Sequence, residues 1–236
     1  KAVANRLLGE IFFNQNKYGK ALKRFKIALA IAPNDGETQY KLAWSEFYTG
    51  QTTKAKNSLE SILRNPNLLS SLNKIDDTFH DIVAKDLAVF MAKQNITSKQ
   101  IQYFSDLQPQ TTKIDNLFFF GHELIRLGKF YESLLVWKKL EQENRLNQNK
   151  LIALHVYKAK SFLEINNKKK AKDSFVKSIA LWKAQGCRDQ MGDCENLRIS
   201  MKNWLIQWSN ESAKKLSPNV AIVFSSFYKL FNDDLQ

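Results

Sequence analysis

The first 33 residues of the chain carry the feature that most limits its fold, which is a pair of amphipathic helical patterns joined by a short polar turn. Gly9 lies in the first pattern, and Ala21 and Ala28 lie in the second, where two neighbouring helices would have to touch. Small side chains let helix axes approach, whereas larger ones would hold the axes apart. Pro33 ends the second pattern, because proline cannot continue a helix. The segment therefore predicts a tight helical hairpin, which cannot bury its apolar face alone.

A second unit of the same kind follows the first. Leu42 and Ala43 take the places of Leu8 and Gly9 in the first helix of the hairpin. The matching second-helix positions are Ala21, Phe25 and Ala28 in the first unit, and Ala55, Leu59 and Ile62 in the second. Glu46 departs from the pattern, because it stands where the first unit has an apolar residue. We expect the helix to be rotated slightly there, so that Phe47 takes the packing role.

Residues 1–67 resemble two tetratricopeptide repeats, a family with a period of about 34 residues and a helix–turn–helix unit. The pattern returns in residues 113–185, which we interpret as two further repeats. Their small and apolar positions are Phe120, Gly121, Leu124, Ser133, Trp137, Leu140, Ala159, Phe162, Ala171, Phe175 and Ser178. The resemblance implies an all-α fold, an α–α superhelix in which successive helical hairpins stack.

Two stretches lie outside these repeats. Residues 68–112 break the period and are interpreted as a helical spacer or a degenerate repeat. Apolar residues at helical spacing, among them Leu72 and Ile75, predict one long helix there over residues 70–93, and Thr97 or Ser98 should cap a shorter one. Residues 186–236 predict two helices, Ile199 to Trp208 and Pro218 to Phe231, that cap the end of the stack, with a docking surface for a partner or contact with a membrane surface as the alternatives.

The resemblance also implies where a partner would bind, because in this family the first helices of successive hairpins line a concave groove. The expected groove positions are Arg6, Phe13, Tyr40, Lys41, Trp44, Tyr48, Phe118, Phe119, His122 and Arg126. Aromatic side chains dominate this set, and they bury a large area at a low entropic cost on binding. An aromatic residue at helical spacing equally fits a hydrophobic core, and the spacer helix would fill the groove if it folded back. Both alternatives stay open at the level of sequence.

One binding mode of the family is disfavoured. Some relatives hold the terminal carboxylate of a chaperone peptide with a set of Lys, Asn, Asn, Lys and Arg residues. This chain has Arg6 at the first position, but Glu10 and Lys41 stand where the set requires asparagine. Because a glutamate there would repel a carboxylate, we do not expect a co-chaperone role.

Catalysis finds little support in the sequence. His80, His122 and His155 are scattered, without metal-ligand spacing. The chain contains no Gly-rich phosphate loop, Gly-x-Ser-x-Gly elbow or His-Glu-x-x-His motif. We therefore expect a non-enzymatic protein without cofactor or metal, which acts as a scaffold and binds another protein or a peptide.

The net charge of +13 keeps a second class of partner open. Residues 1–66 carry +6 and residues 113–185 carry +8, and Lys168, Lys169, Lys170 and Lys172 cluster at one turn. A surface of one sign attracts acidic proteins, nucleic acid and anionic polymers alike. A basic module for nucleic acid is thus one alternative, and an accessory repeat domain of a longer enzyme or regulator is another. No apolar run approaches the roughly 20 residues of a membrane span.

Cys187 and Cys194 lie in a polar segment with two glycines. In a helix the two residues would be about 10 Å apart along the axis, too far for a disulfide, whereas a loop would allow a bridge. Free thiols are the alternative to a bridge, and two ligands are too few for a metal site. A bridge favours an oxidising compartment, and the chain begins at Lys1 rather than at methionine. These two clues incline the prediction towards an exported, envelope-associated protein over a cytoplasmic one, and the compartment stays open.

Overall fold

The computed structural model describes residues 1–69, 77–187, 192–211 and 217–231. Across these ranges the backbone forms helices, turns and coil without a β-strand. The helices are α1 (Ala2–Asn14), α2 (Tyr18–Ile31), α3 (Gly36–Tyr48), α4 (Thr52–Arg64), α5 (Pro66–Leu69), α6 (Asp77–Ala92), α7 (Ser98–Asp106), α8 (Lys113–Arg126), α9 (Phe130–Leu140), α10 (Gln148–Glu164), α11 (Lys168–Gln185), α12 (Asp193–Glu211) and α13 (Pro218–Leu230). The prediction of an all-α fold built from helical hairpins is confirmed. Within the described ranges, none of these helices is both long and apolar enough to span a bilayer.

The chain divides into two compact units, Lys1–Glu123 and Leu124–Gln236, and the boundary falls inside α8. In the first unit α1 packs against α2, α2 against α3, and α3 against α4. Helix α6 then packs against α4, as α3 packs against α2. In the second unit α9 packs against α10 and α10 against α11, while α12 contacts α10 and α13 contacts α11.

The first hairpin depends on a close approach at Gly9. A Cβ atom added to Gly9 would lie only 2.5 Å from Cε1 of Phe25, so the aromatic ring occupies the space that a side chain would need. Phe25 is fully buried beside Ala21 and Ala28 on the same face of α2. The turn between the helices uses Asn16 at a φ of 58°, in the left-handed region that asparagine tolerates better than most residues.

The second hairpin differs from our expectation at Glu46. Glu46 is only 4% exposed and accepts a hydrogen bond from the Ser58 hydroxyl of α4 at 2.9 Å. Helix α3 therefore keeps Glu46 facing its partner helix, and Leu42 and Ala43 are buried as predicted. Phe47 does pack, but against α6, where its ring stacks on that of Phe90 with centroids 4.1 Å apart. A buried carboxylate is tolerated at this position because α4 supplies a donor.

The segment after the second hairpin contains both predicted helices, and the first of them is described over a shorter range than we expected. The long helix expected over residues 70–93 is described from Asp77 to Ala92, and Leu72 and Ile75 lie outside the described residues. Thr97 is the residue that caps α7. Its hydroxyl accepts from the Gln100 backbone N–H at 3.4 Å, and the Gln100 side chain accepts from the Thr97 backbone N–H at 2.9 Å. This reciprocal capping box fixes the start of the helix.

Helices α10 to α13 share one hydrophobic core in the second unit. Its buried members are Ile152, Val156, Ala159, Ala171, Phe175, Ile179, Leu197, Met201, Leu205, Trp208, Val220, Val223 and Phe227. The apolar face of the α10–α11 hairpin is thus covered by α12 and α13. Helix α12 begins at Asp193, earlier than the expected Ile199, and contains Cys194, which is disulfide-bonded to Cys187 in the coil that follows α11.

Serine replaces the usual alanine of the repeat at Ser133 on α9, and a hydrogen-bond network explains why it fits. The hydroxyls of Ser133 and Ser161 lie 2.8 Å apart across the interface between α9 and α10. The indole Nε1 of Trp137 donates to the Ser161 hydroxyl at 3.1 Å. Because these buried polar groups satisfy one another, the two helices pack closely here and none of these three groups lacks a hydrogen bond.

Candidate partner-binding cleft

A cleft of about 350 Å³ opens between α1 and α3 in the first unit. We call it the α1–α3 cleft, and its lining residues are Glu10, Phe13, Asn14, Tyr40, Lys41, Trp44 and Tyr48. The lining residues from α3, which are Tyr40, Lys41, Trp44 and Tyr48, lie on one face of the helix. Positions three and four residues apart are neighbours on a helix surface. Five of the ten groove positions predicted from the sequence therefore meet in one place, namely Phe13, Tyr40, Lys41, Trp44 and Tyr48.

The aromatic residues of the cleft form a continuous cluster. Tyr48 stacks on Tyr18 with ring centroids 4.3 Å apart and an interplanar angle of 21°. Tyr48 also lies 5.4 Å from Trp44 and 6.1 Å from Phe13, measured between ring centroids. Tyr48 is nevertheless 50% exposed. The cluster is thus held by its own contacts while part of its surface is exposed.

Helix α6 fixes two of these aromatic side chains through one carboxylate. The hydroxyl of Tyr40 donates to Oδ2 of Asp86 at 2.5 Å, and the indole Nε1 of Trp44 donates to the same oxygen at 2.9 Å. Burial raises the pKa of Asp86, although the two hydrogen bonds act in the opposite direction. Burial and the hydrogen bond to Asp86 also raise the pKa of Tyr40, so its hydroxyl stays protonated as a donor. The spacer segment therefore contacts two cleft residues from α6, and none of its described residues lines the cleft.

The two expected basic groups of the first unit are engaged by acids. The Nζ of Lys41 lies 2.7 Å from Oε1 of Glu10 and 3.1 Å from Oε1 of Glu37. Arg6 lies 3.4 Å from Glu37, 3.9 Å from Glu10 and 4.0 Å from Asp35. Partial burial alone would lower the pKa of Lys41, but the hydrogen bonds to Glu10 and Glu37 raise it. The cations of this cleft are thus neutralised within the chain.

The remaining predicted groove residues lie on α8. Phe118, Phe119 and His122 are partly buried, and none is among the described residues that line the α1–α3 cleft. The ring centroids of Phe118 and His122 are 6.5 Å apart, and burial lowers the pKa of His122 against the opposing charge of Glu123. Arg126 is exposed and falls within the second unit. A single groove that joins all ten positions stays a prediction.

One residue of the site was missed by sequence reasoning. Asp86 lies 46 residues from Tyr40, on a helix whose pattern indicated only its own apolar face. A carboxylate between apolar positions of that helix was the available signal, but it does not identify its partners. Among the described residues, no group of three or more His, Cys, Asp or Glu side chains is placed to hold a metal ion.

A second cleft of about 240 Å³ lies in the second unit, between α10 and α12. We call it the α10–α12 cleft, and it is lined by Lys160, Leu163, Glu164, Asn166, Trp204, Gln207, Trp208 and Glu211. The ammonium of Lys160 lies 5.6 Å from the centroid of the Trp204 ring and pairs with Glu164 on the same helix. This cleft is more polar than the first and contains a single partly exposed aromatic ring, since Trp208 is buried.

Comparison with known proteins gives a match in the second hairpin. Residues 37–67 match the family model of the tetratricopeptide repeat. Among solved structures, the chain is similar to the crystal structure of a thermophilic TPR protein from Thermus thermophilus, with 15% sequence identity and a TM-score of 0.32. That alignment covers 87% of this chain and 100% of the other. No curated protein matches the chain at a significant level.

Proposed function

We propose that this chain, whose residues 37–67 match a tetratricopeptide-repeat model, is a non-enzymatic scaffold that binds a peptide or protein segment in the α1–α3 cleft. Repeat proteins of this architecture use their stacked helices to present extended binding surfaces. The observation that carries the proposal is the convergence of Phe13, Trp44 and Tyr48 on one open cleft.

The chemistry of the cleft fits a protein partner better than a small rigid ligand or a catalytic substrate. Aromatic side chains with a polar edge serve as anchors in protein interfaces, because they bury much area with few rotatable bonds. Tyr40 and Trp44 are already oriented by Asp86, so little side-chain freedom is lost when a partner binds. The preformed aromatic surface therefore favours recognition of a peptide side chain.

A random-peptide phage library selected on the chain tests this proposal, with Tyr48→Ala as the test variant. We expect selected peptides to bind the Tyr48→Ala variant at least about tenfold more weakly, as is usual for an aromatic anchor. Tyr131→Ala is the matched control, because Tyr131 lies on α9 and is 69% exposed. Circular dichroism should show that both variants keep their helices. If every selected peptide binds the Tyr48→Ala and Phe13→Ala variants as tightly as the wild type, the proposal is wrong.

A further inference from the structure

Acidic groups outnumber basic groups around the α1–α3 cleft, although the chain as a whole has a net charge of +13. The acids are Glu10, Asp35, Glu37 and Asp86, and the bases are Arg6, Lys41 and Lys93. At physiological ionic strength, charges more than about 8 Å apart are largely screened from one another. A group that enters the cleft therefore experiences this local acidic set more than the distant lysines.

Glu10 retains an oxygen that an incoming donor can use. Lys41 and Arg6 both contact the Oε1 atom of Glu10. Among the described residues, no hydrogen bond or ion pair involves Oε2. A carboxylate has several acceptor sites, so Glu10 can hold one internal cation and still accept from another donor.

The aromatic side of the cleft also attracts positive charge. The face of an aromatic ring is electron-rich, and a Lys or Arg group within about 6 Å of the ring centroid is stabilised by it. A ring beside the cleft already shows this contact, because the ammonium of Lys93 lies 4.6 Å from the centroid of Phe47. Phe47 neighbours both Trp44 and Tyr48, with ring centroids 5.6 Å and 6.0 Å away.

We propose that the α1–α3 cleft binds an arginine or lysine side chain of the partner segment, with the cation between Glu10 and the exposed aromatic surface of Trp44 and Tyr48. This inference rests on the proposed function and specifies the chemistry of its partner. A partner carboxylate in this place would meet Glu10 at close range and be repelled. An aliphatic side chain would remove water from Glu10 without supplying a donor, which is unfavourable for a charged group.

The test uses the phage-selected peptides that bind the wild-type chain and lose binding to the Tyr48→Ala variant. We expect these peptides to be enriched in arginine or lysine. Replacing the critical arginine by citrulline, its neutral isostere, should weaken binding roughly tenfold in calorimetric titrations. In the Glu10→Gln variant the difference between the arginine and citrulline peptides should largely disappear. Glu132→Gln on α9 removes the same charge elsewhere and should leave that difference unchanged.

The outcomes separate this inference from the function on which it rests. If the peptides depend on Tyr48 but bind equally well with citrulline, or if they carry Asp or Glu at the critical position, the cationic partner is wrong and the scaffold function stands. If no selected peptide depends on Tyr48 or on Phe13, both proposals are overturned, and dependence on Phe13 alone overturns only the cation site at Tyr48. The citrulline comparison uses the wild-type chain, so it decides the question even if the Glu10→Gln variant folds poorly.

Discussion

The α1–α2 hairpin of the first unit and the α10–α11 hairpin of the second have the same framework. Equivalent residues are numbered 150 apart, as with Phe25 and Phe175, which are both fully buried. The turns of the two hairpins also match, because Asn16 and Asn166 adopt φ angles of 58° and 59°. Side-chain packing and turn geometry fix these positions, so two units with different neighbours use the same residue types.

The two hairpins differ where they line clefts. Glu10 of the α1–α3 cleft corresponds to Lys160 of the α10–α12 cleft, and Phe13 corresponds to Leu163. Charge is thus reversed and an aromatic ring is lost at equivalent positions on the same framework. Positions that face a cleft are outside the close packing between the two helices of a hairpin, so their chemistry can differ. We expect the two clefts to select different partner groups.

The largest difference in stability between the hairpins should appear at His155. Its equivalent in the first hairpin, Asn5, is hydrogen-bonded by Arg24 at 3.2 Å. His155 is only 2% exposed, and neither ring nitrogen has a hydrogen-bond partner among the described residues. Burial is the main reason that the pKa of His155 is lowered to about 4, and the charges of Lys177 and Lys158 lower it further, against the opposing charge of Glu141.

This pKa makes the second unit sensitive to acid. The unfolded chain takes up a proton at this histidine near pH 6.5 and the folded chain only near pH 4, so protons favour the unfolded state. The free energy of unfolding that depends on neutral His155 is fully present above pH 6.5. It decreases between pH 6.5 and 4, by roughly 3 kcal/mol in total. Urea unfolding of the wild type and of the His155→Leu variant at pH 7 and pH 4 measures it. Other groups titrate in both proteins, so the difference between their losses of stability from pH 7 to pH 4 isolates the effect of His155. An equal loss in both proteins would contradict the prediction.

A smaller difference in stability between the two hairpins is expected at Gly9, whose equivalent in the α10–α11 hairpin is the buried Ala159. Gly9→Ala places a Cβ 2.5 Å from the Phe25 ring. Overpacking of this kind costs about 1–3 kcal/mol, against a gain of about 1 kcal/mol from the better helix propensity of alanine. We therefore expect net destabilisation of about 1 kcal/mol in urea unfolding. Gly19→Ala on α2 is the control, because no heavy atom lies within 4 Å of its added Cβ, and it should stabilise the chain.

The opposite substitution sharpens the same comparison. Ala159→Gly should destabilise the second unit by about 1 kcal/mol, because glycine is the poorer helix former and the lost methyl group was packed. If Gly9→Ala is neutral or stabilising, the first hairpin can separate its helices without cost, and the close approach at Phe25 is not a constraint on the sequence.

These positions also show what the sequence predicts. The packing residues could be identified because small and aromatic side chains recur at fixed intervals, as with Ala21 and Phe25, and both are buried. The cleft could be identified only in part. Asp86 contacts Tyr40 and Trp44 because α6 packs beside the second hairpin within the first unit, and a contact over 46 residues leaves no periodic signal. The ion pairs of the cleft could not be predicted either, because they also join residues that are distant in the sequence.

Lys41 illustrates this second case and provides the smallest expected effect. The sequence predicts Lys41 as a basic residue of the groove, whereas in the structure it forms an ion pair with Glu10 of the preceding hairpin. The corresponding acid–base pair of the α10–α12 cleft, Lys160 with Glu164, lies within one helix. Pairs within a helix contribute about 0.3–0.5 kcal/mol. The partly buried Glu10–Lys41 pair joins two hairpins and shares Glu37 in a network, so we expect about 1 kcal/mol.

Double-mutant cycles on the two pairs, Glu10→Gln with Lys41→Met and Lys160→Met with Glu164→Gln, measure both coupling energies by urea unfolding. Both should decrease as salt is added, because the groups are partly exposed. A coupling energy for Glu10 and Lys41 no larger than that of the pair within α10 would mean that the acids and bases of the α1–α3 cleft contribute little to the fold. The clustering of acids there would then be explained by the partner rather than by stability, so the outcome bears directly on the cationic side chain proposed for that cleft.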